Sequence, residues 1–103
     1  MSSDDDVFRA LSNSTRRLIL EELADNDDQT LYELCVRLTM NHDIDMTRQG
    51  VSKHLNILEE AELVTSNRRG KYKLMSFTGA DRIQAATAWL ERLSEKDTEI
   101  DPD

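Results

Sequence analysis

A change of hydrophobic period within one short stretch constrains this chain more than any other feature. In "MTRQGVSKHLNILEEAELV", Val51, Leu55 and Leu58 recur at i, i+4 and i+7, with Ala61 near the end, as on one face of a helix. Immediately after it, "LVTSNRRGKYKLMSFT" carries two short runs of β-branched and aromatic residues around "NRRG". Gly70 can take the left-handed conformation that a hairpin loop needs. A helix that leads directly into a hairpin with a basic tip leaves few architectures open.

The segments before and after it narrow the choice. "DDVFRALS" places Val7, Phe8 and Leu11 on one face of a short helix whose first turn is acidic, as the helix dipole prefers. In "NSTRRLILEELA", Asn13 is an N-cap and Ile19, Leu20 and Leu23 form an apolar stripe. "DNDD" reads as a solvated loop. Thr30 with Glu33 makes a capping box and opens a third helix through Leu31, Leu34, Cys35 and Leu38. "TMNHDIDM" is a polar connection, and Thr47 is the next N-cap. Last, "ADRIQAATAWLERL" sets Ile83, Ala86, Leu90 and Leu93 at 3-4-3 spacing with Trp89 beside them. The expected fold is α+β and mostly α: a winged helix-turn-helix of five helices and a two-stranded β-hairpin wing. It forms one domain over residues 5–93, flanked by a mobile N-terminus (1–4) and an acidic mobile tail (94–103).

Charge then separates one face from the rest. The chain of 103 residues carries −8, yet residues 48–73 hold six cations against three acids, a local +3 that leaves −11 elsewhere. An acidic body repels nucleic acid everywhere except at that zone. No apolar run approaches the roughly 20 residues that span a bilayer, and "MSSDDD" is acidic where a secretory signal is basic. The single cysteine suits a reducing compartment, so a cytoplasmic location is expected. A Gly-rich phosphate loop, a paired-carboxylate pocket and a nucleophile–base constellation are all missing from the pattern, which argues against an enzyme.

Three stretches resemble the ArsR-type winged-helix transcriptional regulators, over roughly residues 7–93. "VFRALSNSTRRLILEELA" is similar to that family's opening, with Asn13-Ser14 where Asp-Pro is usual. "TRQGVSKHLNILEEAELV" resembles its recognition helix, and "RRGKYKL" its wing. Two positions depart from the pattern: Gly50 stands where alanine is usual, and Glu62 where the turn before Leu63-Val64 has glycine. If that turn needs φ > 0, a glutamate there is strained.

DNA binding needs groups that position phosphates and side chains that reach base edges. Thr47, Arg48, Gln49, Ser52, Lys53 and Asn56 offer both from the start of the 47–61 helix. Arg to guanine and Gln or Asn to adenine are favoured major-groove pairs. The 65–73 wing adds Arg68, Arg69, Lys71 and Lys73 with no acid between Thr65 and Lys73. His54 is expected to be structural, partly buried near Leu55 and Leu58.

The resemblance also raises metal sensing. Where many family members have a second thiolate, "ELCVRL" keeps Cys35 but has Arg37, and a guanidinium cannot coordinate. The Ala80–Leu93 stretch has no His for the family's other site. His42 with Asp43 and Asp45 reads as a solvated loop, and no metal or other cofactor is expected. Cys35, among leucines, reads as a core thiol.

The expected partners are double-stranded operator DNA and a second copy of the chain, with no membrane, and an effector of unspecified chemistry is left open. The dimer would use Val7, Phe8, Leu11, Ile83, Ala86, Trp89, Leu90 and Leu93; the alternative is that the last helix packs onto its own chain's first helix. The two-fold symmetry of such a dimer implies an inverted-repeat operator, and the resemblance implies repression. Alternatives are a winged-helix protein-interaction module without DNA binding, or a redox- or metal-responsive regulator acting through Cys35.

Overall fold

A computed structural model describes residues 4–99, with side chains as far as Lys96. The order is α1 (Asp4–Leu11), α2 (Ser14–Asp25), α3 (Leu31–His42), α4 (Arg48–Glu60), β1 (Val64–Arg69), β2 (Tyr72–Phe77) and α5 (Ala80–Glu99). Over the described residues this is the expected α+β winged helix-turn-helix, with β1 and β2 as one antiparallel pair.

Local chemistry sets the helix starts. Asn13 accepts the Arg16 N–H at 3.1 Å, Thr47 accepts that of Gly50 at 3.0 Å, and Thr30 and Glu33 complete a reciprocal capping box. Each cap satisfies a backbone donor that the helix cannot use, worth about 1 kcal/mol. The end of α4 is equally defined. The Leu63 N–H returns to Leu58 O at 3.0 Å and that of Glu62 to Glu59 O at 2.9 Å, the two bonds of a Schellman motif. Leu58 and Leu63, its hydrophobic pair, are both fully buried.

The core gathers one stripe from each central helix: Ile19 and Leu23 of α2, Leu34 and Leu38 of α3, and Val51, Leu55 and Leu58 of α4. Val64 and Met75 close it from the hairpin. Each such side chain contributes about 1.5–3 kcal/mol by leaving water. Helix α4 is thus held on a buried base along its inner face.

Three boundaries differ from those expected. First, α3 runs on to His42, and the connection to α4 shrinks to residues 43–47. Thr39 lies inside the helix, its single hydroxyl proton shared between Cys35 O at 3.2 Å and Ile44 O at 3.0 Å. Second, α5 continues through Ser94 to Glu99, where a mobile tail was expected. That stretch has no Gly or Pro, and extending an existing helix is far easier than nucleating one. Third, Asp4 already belongs to α1. The rest of both expected termini, residues 1–3 and 100–103, lies outside the described residues. A further feature is a β-bridge: Gln29 and Met75 exchange backbone bonds of 3.1 and 2.8 Å, which ties the "DNDD" loop to the base of the wing.

Candidate nucleic-acid interface

The first turn of α4 contains no acid, so the positive end of its dipole is open to an anion. Gln49, Lys53 and Asn56 follow one another at spacing 4-3 along the exposed face, with Thr47 and Arg48 at the exposed start and Ser52, half-buried, on the flank. Ser52 and Asn56 share a cleft with Leu31, Met75 and the wing residue Lys73. Helix and wing therefore form one surface.

The wing is a two-residue hairpin. Arg69 pairs with Tyr72 and Arg68 with Lys73, so Gly70 and Lys71 make the loop, and Gly70 sits at φ 59° as the turn requires. Arg68 and Lys73 face each other across the strands; like charges so placed repel and are relieved by an anion between or beside them. All four wing cations are exposed. Only Arg69, among the described residues, has an acid in reach, Asp28 at 3.7 Å.

Two aromatic residues extend this surface beyond the ten expected side chains. Arg48 lies over the Tyr32 ring at 5.4 Å, and Lys71 over the Tyr72 ring at 5.5 Å. Cation–π contact restricts both cations. An exposed tyrosine two residues after the Thr30 cap is the only sequence signal for Tyr32, and its proximity to Arg48 comes from the packing of α3 on α4.

The two departures from the family pattern have structural consequences. A Cβ on Gly50 would lie 2.9 Å from Met46 Cγ, so the glycine leaves room for the Met46 side chain against the first turn. Glu62 does adopt φ 59°, the strained conformation anticipated for it. Its carboxylate accepts Arg82 Nη2 of α5 at 2.8 Å.

The candidate sensor groups are engaged elsewhere. His42 turns to α2, where its Nε2 meets Glu22 Oε2 at 3.0 Å, and Asn41 donates to the same oxygen at 3.0 Å. Among the described residues no group of three or more His, Cys, Asp or Glu is placed to hold a metal ion. Burial pushes the Cys35 thiol up from its usual value, and nearby Arg48 opposes this only in part. His54 is half-buried, as expected, and bonds through Nδ1 to Arg16 Nη1 at 3.2 Å. Burial, and then the Arg16 charge, lower its pKa.

The surface assigned to the dimer divides in two. Val7, 2% exposed, and Ala86, 6% exposed, are closed inside the protomer. That removes both from any face a partner can meet, because α1 and α5 pack on each other. Phe8 meets Trp89 edge-to-face at 5.5 Å, and Leu11 and Ile83 pack against the core margin. Trp89, Leu90 and Leu93 stay 47%, 50% and 52% exposed. No described helix is long and apolar enough to cross a membrane.

Comparison with known proteins agrees with this geometry. The helix-turn-helix domain family matches residues 11–67. The chain is 47% identical over 87 residues to YuzN of Bacillus subtilis (strain 168), described as an uncharacterized HTH-type transcriptional regulator; the match spans 84% of this chain and 95% of that protein. It is 33% identical over 66 residues to the transcriptional repressor SdpR of the same organism, spanning 64% of this chain and 66% of that protein. Among solved structures, an ArsR-like transcriptional regulator from Rhodococcus sp. RHA1 superposes with a TM-score of 0.74 at 32% identity, covering 93% of this chain and 82% of that one. With the winged fold and these relatives in agreement, the chain belongs to the ArsR-type winged helix-turn-helix transcriptional regulators, a family of regulators and not of enzymes.

Proposed function

We propose that this regulator is a homodimeric repressor that binds an inverted-repeat operator, with α4 in the major groove and the β1–β2 wing on the flanking backbone. The observation that carries the reading is the joined surface of α4 and the wing. Among the described residues only Arg69 of its cations has an acid within 4 Å, in a chain whose remaining residues are strongly acidic. Thr47, Arg48, Gln49, Ser52, Lys53 and Asn56 read bases and adjoining phosphates, and Arg68, Arg69, Lys71 and Lys73 hold the backbone. Dimerisation is supported by the exposed Trp89–Leu90–Leu93 face of α5, an apolar strip that water does not favour. Two-fold symmetry then sets two recognition helices about 34 Å apart, one turn of DNA. Repression follows from occupying a promoter and is in keeping with the repressor among the relatives. The reading places the chain in the cytoplasm, where its DNA lies.

The test replaces Gln49, Ser52 and Lys53 together by Ala and measures binding to the gene's own upstream DNA. The expected loss is at least about 100-fold, at one to three kcal/mol per base contact, with the fold intact by circular dichroism. Replacing Arg68 and Lys73 by Ala should instead weaken all DNA alike and flatten the salt dependence by about one unit for each phosphate no longer neutralised. A wild type with no preference for any DNA sequence would leave the protein-interaction alternative standing.

A further inference from the structure

Arg16 is the most buried cation among the described residues, 8% exposed, and it has no carboxylate partner among them. Its three donor groups are all used across helices. Nε donates to Ala10 O at 2.9 Å and Nη2 to Arg9 O at 3.0 Å, both at the end of α1. Nη1 meets Nδ1 of His54, on the recognition helix, at 3.2 Å. Both carbonyls lie at the negative end of the α1 dipole, which suits a buried guanidinium; Arg9 O also accepts the N–H and the hydroxyl of Ser12 at 3.3 and 2.7 Å. For the third bond the imidazole must be neutral with its proton on Nε2, since guanidinium only donates. The depressed pKa of His54 agrees with that form.

We propose that Arg16 and His54 are positioning residues that lock the recognition helix to α1, and through α1 to the face of α5. The connection is continuous. Trp89 on the exposed α5 face rests edge-to-face on Phe8 of α1. Phe8 directly precedes Arg9 and Ala10, whose carbonyls hold Arg16. Arg16 holds His54, the residue after Lys53 on the DNA-facing helix. A shift of α1 therefore carries with it the guanidinium that its carbonyls hold in a fork, and with that the one bond to His54 on α4; an unsatisfied donor there is costly. Assembly at one end and DNA reading at the other are joined by one ring contact and one set of hydrogen bonds. This inference rests on the functional reading above.

The test compares His54→Phe, which keeps a ring but removes the acceptor, with His54→Gln, whose amide oxygen can accept. Arg16→Lys, which keeps the charge but not the fork, is the second route should His54→Phe fail to fold. Folding of each variant is checked by circular dichroism well below its melting temperature. Affinity is measured for the gene's own upstream DNA and for unrelated DNA of equal length. His54→Phe and Arg16→Lys should each lose about tenfold on the specific DNA and less than twofold on the unrelated one. His54→Gln should stay within about twofold on both. The double variant should lose about tenfold and not a hundredfold, because both changes break one link. Equal losses on both DNAs, no loss from either single variant, or a full additive loss in the double would overturn the proposal. Hydrogen exchange supplies an arm that needs no DNA. His54→Phe should speed amide exchange over 48–54 and leave 31–38 unchanged. If wild type lacks sequence preference, the functional reading fails, and unchanged exchange over 48–54 overturns the α1–α4 link separately.

Discussion

The α4–wing side and the α1–α5 side both present side chains that the core does not use, yet they are anchored in opposite ways. Helix α4 buries Val51, Leu55 and Leu58 almost completely and exposes only polar residues. Among its described side chains helix α5 fully buries only Ala86 and leaves Trp89, Leu90 and Leu93 half in water. A helix with a buried base and a polar outer face is finished as a monomer and ready for a polar ligand. A helix whose large apolar residues stay outside has packing still to complete. That difference is what supports the proposal of DNA for the first and of a second copy of the chain for the second.

The largest effect is expected on α5. Trp89→Ala combined with Leu93→Glu should weaken dimerisation at least about 100-fold, as expected for two central apolar anchors. Sedimentation over a concentration series would show it. The monomer's stability should fall only by about the 0.5–1.5 kcal/mol of the Phe8–Trp89 edge contact, because neither side chain belongs to the buried core. A large drop in monomer stability would mean that α5 is part of the protomer's base after all, and the contrast would vanish.

A smaller effect is expected where the two sides touch. Glu62 takes the left-handed conformation at the end of α4 and pairs with Arg82 of α5. Glu62→Gly removes a strain of about 1–2 kcal/mol and an exposed ion pair worth about 0.2–1 kcal/mol. The net should be a gain of about 0.5 kcal/mol or more in urea unfolding. No gain would show that the Arg82 pair matters as much as the backbone strain.

The smallest effect concerns pH. The folded pKa of His54 lies below its usual value of 6.5, so the unfolded chain takes up the proton first as pH falls. The corresponding stability is fully present above 6.5 and is lost as pH falls from there through the folded value. Wild type should therefore lose more stability than His54→Gln between pH 7 and pH 5, by chemical denaturation at matched salt. Protonation also sets His54 against the Arg16 cation, and DNA affinity should fall relative to His54→Gln over the same interval. A histidine free on a DNA-binding face would act in the opposite direction.

Much of the fold is legible in the sequence because it depends on local rules. The capping residues Asn13, Thr30 and Thr47, the stripe Val51–Leu55–Leu58 and the glycine of the wing turn act within a few residues of themselves. The clustering of Arg48, Lys53 and the wing cations in an acidic chain is equally visible. Arg16 carries no such signal, because in the sequence it is one of two adjacent arginines on an amphipathic helix. Its acceptors lie six and seven residues back on α1 and, for His54, thirty-eight residues ahead. Tyr32 is hidden for the same reason. The partition of α5 is hidden too, since periodicity finds an apolar stripe without saying how much of it the chain's own α1 will cover.

By itself, then, the sequence determined the order of helices and strands, where the three capped helices start, and which face carries positive charge, since these follow from near-neighbour chemistry and composition. The tertiary structure alone decided which cation is buried, which ring each exposed cation meets and which half of the terminal apolar stripe stays in water. Those outcomes depend on distances between helices remote in sequence, and no local preference encodes them.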